Sequence, residues 1–322
     1  MSVNNNMANK RHKIKWGQVL FISVMLLYPI FQLIMFWVVP NFGSILSSFK
    51  LIKRGRPGQP QTIQFGFAQF KRLFDSFSNP QFIHSLVNSC WYFFTTVIVG
   101  VPLTLVLSYF IYKKLFGYKI FRVVFFLPSI ISGVVMATLF KAFIDFPNSP
   151  FCLLLSKIMN VDPLETPELL GDNNRVLTIC IYTLWTGFGV NLVMFNSAMS
   201  RVPKDVIEYG KLEGVGMTRE LVQIITPLMF PTVVTVLVLG MAGFFTFVQP
   251  VMLFRPNPQN DYTGVSWSIA YYILFYFRAG PNTDINNQNY ACAVGVFFAL
   301  LGTPIIVGIK ALLDKAVQAV EY

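Results

Sequence analysis

The chain has 322 residues, of which 54% are hydrophobic and 12% are charged, and its formal net charge is +11. Soluble domains carry about 25% charged residues, so a soluble fold of this length would leave too much apolar surface in water. The composition excludes an ordinary cytosolic enzyme, a nucleic-acid-binding module and a disordered protein. It predicts an all-α integral membrane protein.

Six windows poor in Asp, Glu, Lys and Arg are long enough for spanning helices, which need about 20 apolar residues each. We predict transmembrane helices at 17–40, 85–112, 120–143, 176–200, 228–252 and 289–312. The third window is short, and Arg122 and Lys141 at its ends extend it by snorkelling. A further window at 262–277 is dense in Tyr and Trp. We interpret it as an amphipathic interfacial helix, with a seventh span as the alternative.

The distribution of Lys and Arg predicts that both termini are cytoplasmic. In that orientation the inside segments, counted with Arg122 and Lys310 at the adjoining span ends, hold 14 of the 25 Lys and Arg residues in much less chain than the outside segments. The inside segments are the tail 1–16, the link between spans two and three, the loop 201–226 and the tail 313–322. The outside loops are 41–84, 144–175 and 253–288. The basic N-terminus and the long apolar run after it predict an uncleaved first span rather than a signal peptide.

No pattern in the chain predicts catalysis or a bound metal. The four cysteines are scattered without a C-x-x-C pair, and His12 and His84 stand alone. Nucleotide-binding and hydrolase motifs are absent from the sequence. We therefore expect a protein that is not an enzyme, that carries no cofactor and that binds no nucleic acid.

The segment between spans four and five, 201–233, carries the strongest local signals. Pro203 fits the first turn of a short helix, and Asp205 lies near its positive end. Gly214 and Gly216 end this helix, and Thr218 caps a second one. Charges of both signs follow along both helices. This pattern predicts a helix–turn–helix on the cytoplasmic face that docks on a soluble partner, and a well-capped loop is the alternative.

This segment resembles the EAA loop of carbohydrate-type ABC-importer permeases, the family that includes maltose and glycerol-phosphate permeases. The matching order is Pro203, Glu208-Tyr209-Gly210, Glu213-Gly214-Val215, Pro227 and Pro231. Tyr209 and Gly210 replace the two alanines of the family pattern, and Glu213 and Val215 replace its aspartate and last alanine. Further resemblance lies in 65–82, in Asn88 with the apolar run after it, in 121–143 and in FVQPVMLF. An extra polar insert, 281–288, precedes the last span.

The resemblance implies a type I ABC importer permease in a bacterial plasma (inner) membrane. Such a permease pairs with a second permease, here as a heterodimer, with two ATPase subunits that carry ATP and Mg, and with an extracytoplasmic solute-binding protein. The resemblance assigns ATPase coupling to Glu208, Tyr209, Gly210, Glu213, Gly214, Val215 and Pro227. Glu208 would pair with a basic residue of the ATPase.

Polar residues inside the predicted spans are candidates for the solute pathway, because such residues face a cavity or the bundle interior. They are Asn191, Asn196, Gln249, Thr246, Trp185, Tyr182, Ser132 and Ser129. Interhelical hydrogen bonding is the alternative for each of them. The resemblance favours an uncharged sugar or oligosaccharide, while Lys50 to Arg56 leave an anionic sugar open. A peptide or polyamine importer, an ion-coupled secondary transporter and a membrane scaffold are the remaining alternatives.

Overall fold

The computed structural model describes residues 16–53, 62–254, 264–278, 284 and 286–318. Parts of five predicted segments lie outside these residues: 1–15 of the first tail, 54–61 of the first outer loop, 255–263 and 279–280 of the last outer loop, 281–283 and 285 of the insert, and 319–322 of the second tail. The described chain is almost entirely helical, with one two-stranded antiparallel hairpin.

Where the structure describes it, the first half of the chain forms six helices and the hairpin. Helix α1 runs through Trp16–Leu33, a π-helical turn at Ile34–Val38 and Val39–Ser48; β1 (Lys50–Lys53) and β2 (Thr62–Phe65) follow it. Helix α2 is Ala68–Ser76, and α3 runs through Pro80–Phe93, a π-helical turn at Phe94–Val99 and Gly100–Tyr112. Helices α4 (Tyr118–Ile130), α5 (Gly133–Ile144) and α6 (Pro150–Met159) precede a 3-10 turn at Pro163–Glu165.

The described residues of the second half form seven helices. Helix α7 is Arg175–Met199, α8 is Lys204–Leu212, and α9 runs through Met217–Arg219, a π-helical turn at Glu220–Ile225 and Thr226–Leu228. Helix α10 is Phe230–Gly243, α11 is Gln249–Leu253, α12 is Ile269–Phe277 and α13 is Asn287–Gln318.

Each of the three π-helical turns lies just before a proline, and proline chemistry explains them. Pro40, Pro102 and Pro227 lack a backbone N–H, and each ring crowds the carbonyl four residues earlier. That carbonyl belongs to the preceding π-helical turn in all three cases. A wider turn accommodates the ring without ending the helix, so α1, α3 and α9 continue through their prolines.

Within the ranges given above, four helical stretches are long and apolar enough to cross a membrane by themselves: Val19–Ser48, Pro80–Tyr112, Arg175–Met199 and Asn287–Lys315. Two bent pairs bring the number to six if each pair counts as one span. The third predicted span, 120–143, is not one straight helix, because α4 and α5 meet at 116°. The 78° bend between α9 and α10 lies at the predicted start of the fifth span, but α10 ends at Gly243 rather than at 252, and α11 is a separate helix.

The core lies where α3 and α7 pack against each other. One cluster of buried apolar side chains gathers around Phe82, Tyr92 and Trp267, and a second joins α3 and α7 to α9. Helix α12 contributes to the first cluster, with Ile269 and Tyr272 fully buried. The segment interpreted as an amphipathic interfacial helix is thus packed among α3 and α13, because its aromatic face fills the space between them.

Helix α1 presents a continuous apolar surface. No residue in the most apolar stretch of Val19–Ser48 is buried by the rest of the chain. Leu20, Phe36 and Trp37 are each more than half exposed. Its main contacts with α13 come from the end of α1, Val39–Ser48. A surface of this kind is unstable in water and requires lipid or another apolar helix.

Candidate functional site: the α8–α9 surface and the central cavity

Helix α8 has one buried and one exposed face. Ile207 and Gly210 are buried against the bundle, whereas Glu208, Tyr209 and Leu212 are exposed. Tyr209 and Leu212 are 69% and 84% exposed, which is unusual for large side chains on so short a helix. We call the exposed residues Glu208, Tyr209, Leu212, Glu213 and Met217 the α8–α9 surface. Its mixture of apolar and acidic groups is typical of a docking site for another protein.

The end of α8 is fixed by a glycine in the left-handed region. Gly214 has φ +70°, its N–H donates to the carbonyl of Lys211 at 3.1 Å, and the N–H of Val215 donates to the carbonyl of Gly210 at 2.9 Å. These bonds form a Schellman motif, which satisfies carbonyls that the helix end would leave free. The expectations for Gly216 and Thr218 differ from the structure: Gly216 is extended and is itself the N-cap of α9, with no side-chain cap.

Gly210 and Pro227 place α8 against α9 and set the path into α10. A Cβ at Gly210 would lie 2.8 Å from Cδ1 of Ile224, so only glycine permits this approach without a shift of that side chain. Pro227 follows the π-helical turn of α9, and the chain bends at Met229 before α10 begins. The predicted residue Val215 is half-buried beside this junction.

A buried ion pair joins α9 to the end of α3. Nζ of Lys113 lies 2.5 Å from Oε1 of Glu220, and their side chains are 18% and 6% exposed. The ammonium group also lies over the ring of Tyr109, 5.6 Å from its centroid. The sequence analysis missed this pair. Glu220 lies among the mixed charges of the predicted helix–turn–helix, and no sequence signal pairs it with Lys113.

A cavity of about 360 Å³ lies between α3, α7 and α10, and we call it the central cavity. Of the predicted solute residues, Asn191 lines it. Its other polar lining residues are Ser89, Tyr92, Thr96, Thr104 and Thr183, and its aromatic walls are Phe93, Phe188, Phe244 and Phe247. The sequence analysis missed the hydroxyl residues of α3, although positions 89, 96, 100 and 104 repeat at the spacing of one helical face.

Four other predicted solute residues gather at the bend between α4 and α5 instead. The hydroxyl of Tyr182 donates to the carbonyl of Gly133 at 3.3 Å, and Nε2 of Gln249 lies 2.8 Å from where a Cβ of Gly133 would stand. Ser132 caps the start of α5 by its position, without a side-chain bond, and Trp185 packs near Phe140. Thr246 lies on the exposed link after α10, and Ser129 donates to its own helix at the carbonyl of Phe126.

Asn196 lines a different cavity from Asn191. The two residues are five positions apart on α7, which places them about 140° apart around the helix. The side-chain amide of Asn196 donates to the carbonyl of Leu192 at 3.0 Å, and its cavity lies beside the ends of α3 and α4. The two residues therefore cannot contact one solute together.

In the first half of α3, away from Lys113, polar side chains hold the chain segment that leads into α12. Asn88 donates to the carbonyls of Val265 and Trp267 at 2.6 and 3.1 Å, and the hydroxyl of Tyr92 donates to the backbone carbonyl of Ser266 at 2.8 Å. The N–H of Ile269 donates to Oγ of Ser89 at 2.8 Å. These buried bonds satisfy the backbone of a non-helical segment, which therefore can lie inside the bundle.

The first turn of α13 carries a second polar junction at this end. Arg72 of α2 donates to Oδ1 of Asn287 at 2.8 Å and lies over the ring of Tyr290, 4.5 Å from its centroid. The hydroxyls of Tyr290 and Tyr272 are 3.1 Å apart. Burial, helped by this hydrogen bond, raises the pKa of Tyr272 above its ordinary value, so its hydroxyl remains neutral. Among the residues described, no group of three or more His, Cys, Asp and Glu could hold a metal ion.

The sequence and fold match known transport proteins. Residues 76–319 match the family model described as "Binding-protein-dependent transport system inner membrane component". The chain is 30% identical over 248 residues to a "Probable ABC transporter permease protein" of Mycoplasma pneumoniae, covering 74% of this chain and 69% of that protein. It is 22% identical over 274 residues to the arabinooligosaccharides transport system permease of Bacillus subtilis, covering 84% and 82%.

The fold is shared with a chain in the crystal structure of a bacterial alginate ABC transporter in complex with an alginate pentasaccharide-bound periplasmic protein. The TM-score is 0.76 at 19% identity, over 94% of this chain and 96% of that one. The family model spans three quarters of the sequence, including α3, α7, α8 and α9. The chain belongs to the family of inner-membrane components of binding-protein-dependent transport systems.

Proposed function

We propose that this chain is the permease subunit of an ATP-driven importer and that its cargo is an uncharged sugar or oligosaccharide. The observation that carries the proposal is the α8–α9 surface. Its helix α8 is short, has a rigid end and exposes Tyr209 and Leu212. Its helix α9 is tied to the end of α3 by the ion pair of Glu220 with Lys113. Such an element transmits displacement from a soluble partner to the spans.

The partner at this surface is an ATPase subunit, and Glu208 forms an ion pair with one of its basic residues. Two such ATPases bind this chain and a second permease on the cytoplasmic side, and each ATPase carries ATP and Mg. A solute-binding protein docks on the opposite side, and both termini face the cytoplasm. The exposed apolar surface of α1 supports contact with the second permease or with lipid. Gly210, Gly214 and Pro227 contribute through backbone geometry and packing, because they fix the position of the α8–α9 surface.

The central cavity holds the cargo during transport. Its lining in the described residues contains no Asp, Glu, Lys, Arg or His. Threonine and tyrosine hydroxyls, the amide of Asn191 and the rings of Phe244 and Phe247 suit the hydroxyls and apolar faces of a neutral sugar. Relatives named for arabinooligosaccharides and for alginate support a saccharide, and the uncharged lining favours a neutral one over an acidic one.

The test of coupling uses the complete importer in proteoliposomes, with ATP hydrolysis and oligosaccharide uptake measured together. Glu208→Ala should lower uptake per ATP hydrolysed at least about 30-fold, because truncating one member of an interfacial ion pair costs at least about 2 kcal/mol. Glu165→Ala is the matched control, since Glu165 is an exposed carboxylate on the side of the bundle from which α7 begins. Unchanged coupling in Glu208→Ala would refute the assigned role. Uptake driven by an ion gradient without ATP would refute the importer itself.

The test of the cargo site compares two asparagines of α7. Asn191→Ala should raise the KM for uptake about ten-fold, because it removes one hydrogen-bonding amide from the central cavity. Asn196→Ala should leave the KM unchanged, since Asn196 lines another cavity. Equal effects of the two variants would place the cargo elsewhere.

A further inference from the structure

A second cavity, of about 460 Å³, lies at the α8–α9 end of the bundle, between the end of α3, the start of α4 and the end of α7. We call it the α3–α4 pocket. We propose that it binds the phosphate headgroup of an anionic phospholipid. The proposal concerns a lipid ligand and does not involve the cargo. It uses the proposed topology only to name the cytoplasmic leaflet as the source of that lipid.

The lining of the pocket divides by chemistry. Lys114 and Arg122 contribute two cations, and Tyr118 and Asn196 contribute polar groups, whereas Phe126 and Leu192 are apolar. No acidic side chain lines the pocket in the described part of the chain. Neither cation forms an ion pair with any residue that the structure describes, so both are available to an anion. Basic pockets between transmembrane helices at the cytoplasmic side favour anionic lipid headgroups.

The position of the pocket favours a lipid over a solute. It lies on the side of α7 that faces away from Asn191 and the central cavity, as the angle between Asn191 and Asn196 shows. Phe126, one helical turn from Arg122 on the same face of α4, lines the pocket, and so does Val193 of α7, which is 48% exposed; acyl chains cover this apolar surface. A phosphate at Arg122 therefore has an apolar surface next to it for the rest of a lipid molecule.

The pocket is adjacent to the ion pair that holds α9. Lys114 lines the pocket, and the preceding residue, Lys113, pairs with Glu220. A bound headgroup therefore fixes the turn between α3 and α4, on which the ion pair depends. Through this turn, an anionic lipid stabilises the position of the α8–α9 surface.

The experiment measures lipid adducts on the purified full-length chain by native mass spectrometry, with phosphatidylglycerol and phosphatidylcholine added separately. Phosphatidylglycerol should bind at least ten-fold more tightly than phosphatidylcholine. Arg122→Gln and Lys114→Gln should each weaken phosphatidylglycerol binding about five-fold, since one cation near an anionic lipid contributes about 1 kcal/mol. Lys119→Gln is the matched control, because Lys119 is an exposed cation of the same region that does not line the pocket.

Two further arms separate the possible results. Inorganic phosphate and glycerol phosphate at millimolar concentration should not displace the lipid; displacement would identify a free phosphate site instead. Arg122→Lys should retain most binding, which excludes misfolding as the cause of loss in Arg122→Gln. Equal binding of the two lipids, or an equal loss in Lys119→Gln, would overturn the proposal. Because no ATPase or cargo is present, failure here leaves the importer proposal unaffected.

Discussion

The ion pair between Lys113 and Glu220 predicts that removing the lysine and removing the glutamate cost different amounts of stability. At 2.5 Å, the attraction between unit charges is about 7 kcal/mol for an effective dielectric constant of about 20, before desolvation is subtracted. Desolvation falls mainly on Glu220, whose side chain is 6% exposed, against 18% for Lys113. The consequence of removing one partner therefore depends on which charge remains.

Lys113→Gln leaves a buried carboxylate without its cation, and we expect it to destabilise the fold by about 3 kcal/mol. Glu220→Gln leaves a flexible lysine that reaches water, and we expect a loss of only about 1 kcal/mol. The double variant should cost less than the sum, because it leaves no unpaired charge.

The assay is equilibrium unfolding of the purified full-length chain in mild detergent, followed by far-UV circular dichroism. Lys119→Gln, at an exposed lysine of the next helix, serves as control and should change the unfolding free energy by less than about 0.5 kcal/mol. The reasoning is refuted if Lys113→Gln and Glu220→Gln have equal effects, or if the two effects simply add in the double variant.

Three further experiments test the packing and the hydrogen bonds around the candidate sites. Gly189→Ala should cost about 2 kcal/mol in the same unfolding assay, because a Cβ there would lie 2.4 Å from a serine on α4. Gly187→Ala has open space and should be neutral or stabilising by up to about 1 kcal/mol, and an equal loss would contradict this packing. Gly210→Val should displace α8 and lower uptake per ATP, with restoration by Ile224→Ala; no rescue would dissociate the defect from that contact. Asn88→Ala should cost about 2 kcal/mol and speed amide exchange in 264–269, and unaltered exchange would show that this segment is held by other contacts.

The positions of most helices were predictable from the sequence, because a charge-free run of sufficient length has few alternatives in a membrane. The apolar runs around α1, α3, α7 and α13 each contain a long helix close to the predicted range. The mixed charges and paired glycines of 201–216 likewise predicted two short helices. Gly214, which follows the end of α8, adopts the left-handed conformation that was expected of it.

The bent third span shows what hydropathy omits. Pro128 and the serine and glycine at 132–133 precede the turn, but similar residues occur in helices that continue, as Pro40 and Pro102 show. The bend is stabilised by distant groups: Tyr182 reaches the carbonyl of Gly133, and Lys141 donates to the carbonyl of Leu253 at 3.0 Å. A window of apolar residues carries no information on either contact.

The candidate sites divide in the same way. From the sequence alone came the family resemblance, the position of the α8–α9 surface and a set of polar residues within spans. Only the tertiary structure separated those polar residues, with Asn191 in the central cavity, Asn196 in the α3–α4 pocket and Gln249 at the bend between α4 and α5. Only it paired Lys113 with Glu220. The physical reason is that periodicity fixes which face of its own helix a residue occupies, whereas the neighbour of that face depends on how several helices cross.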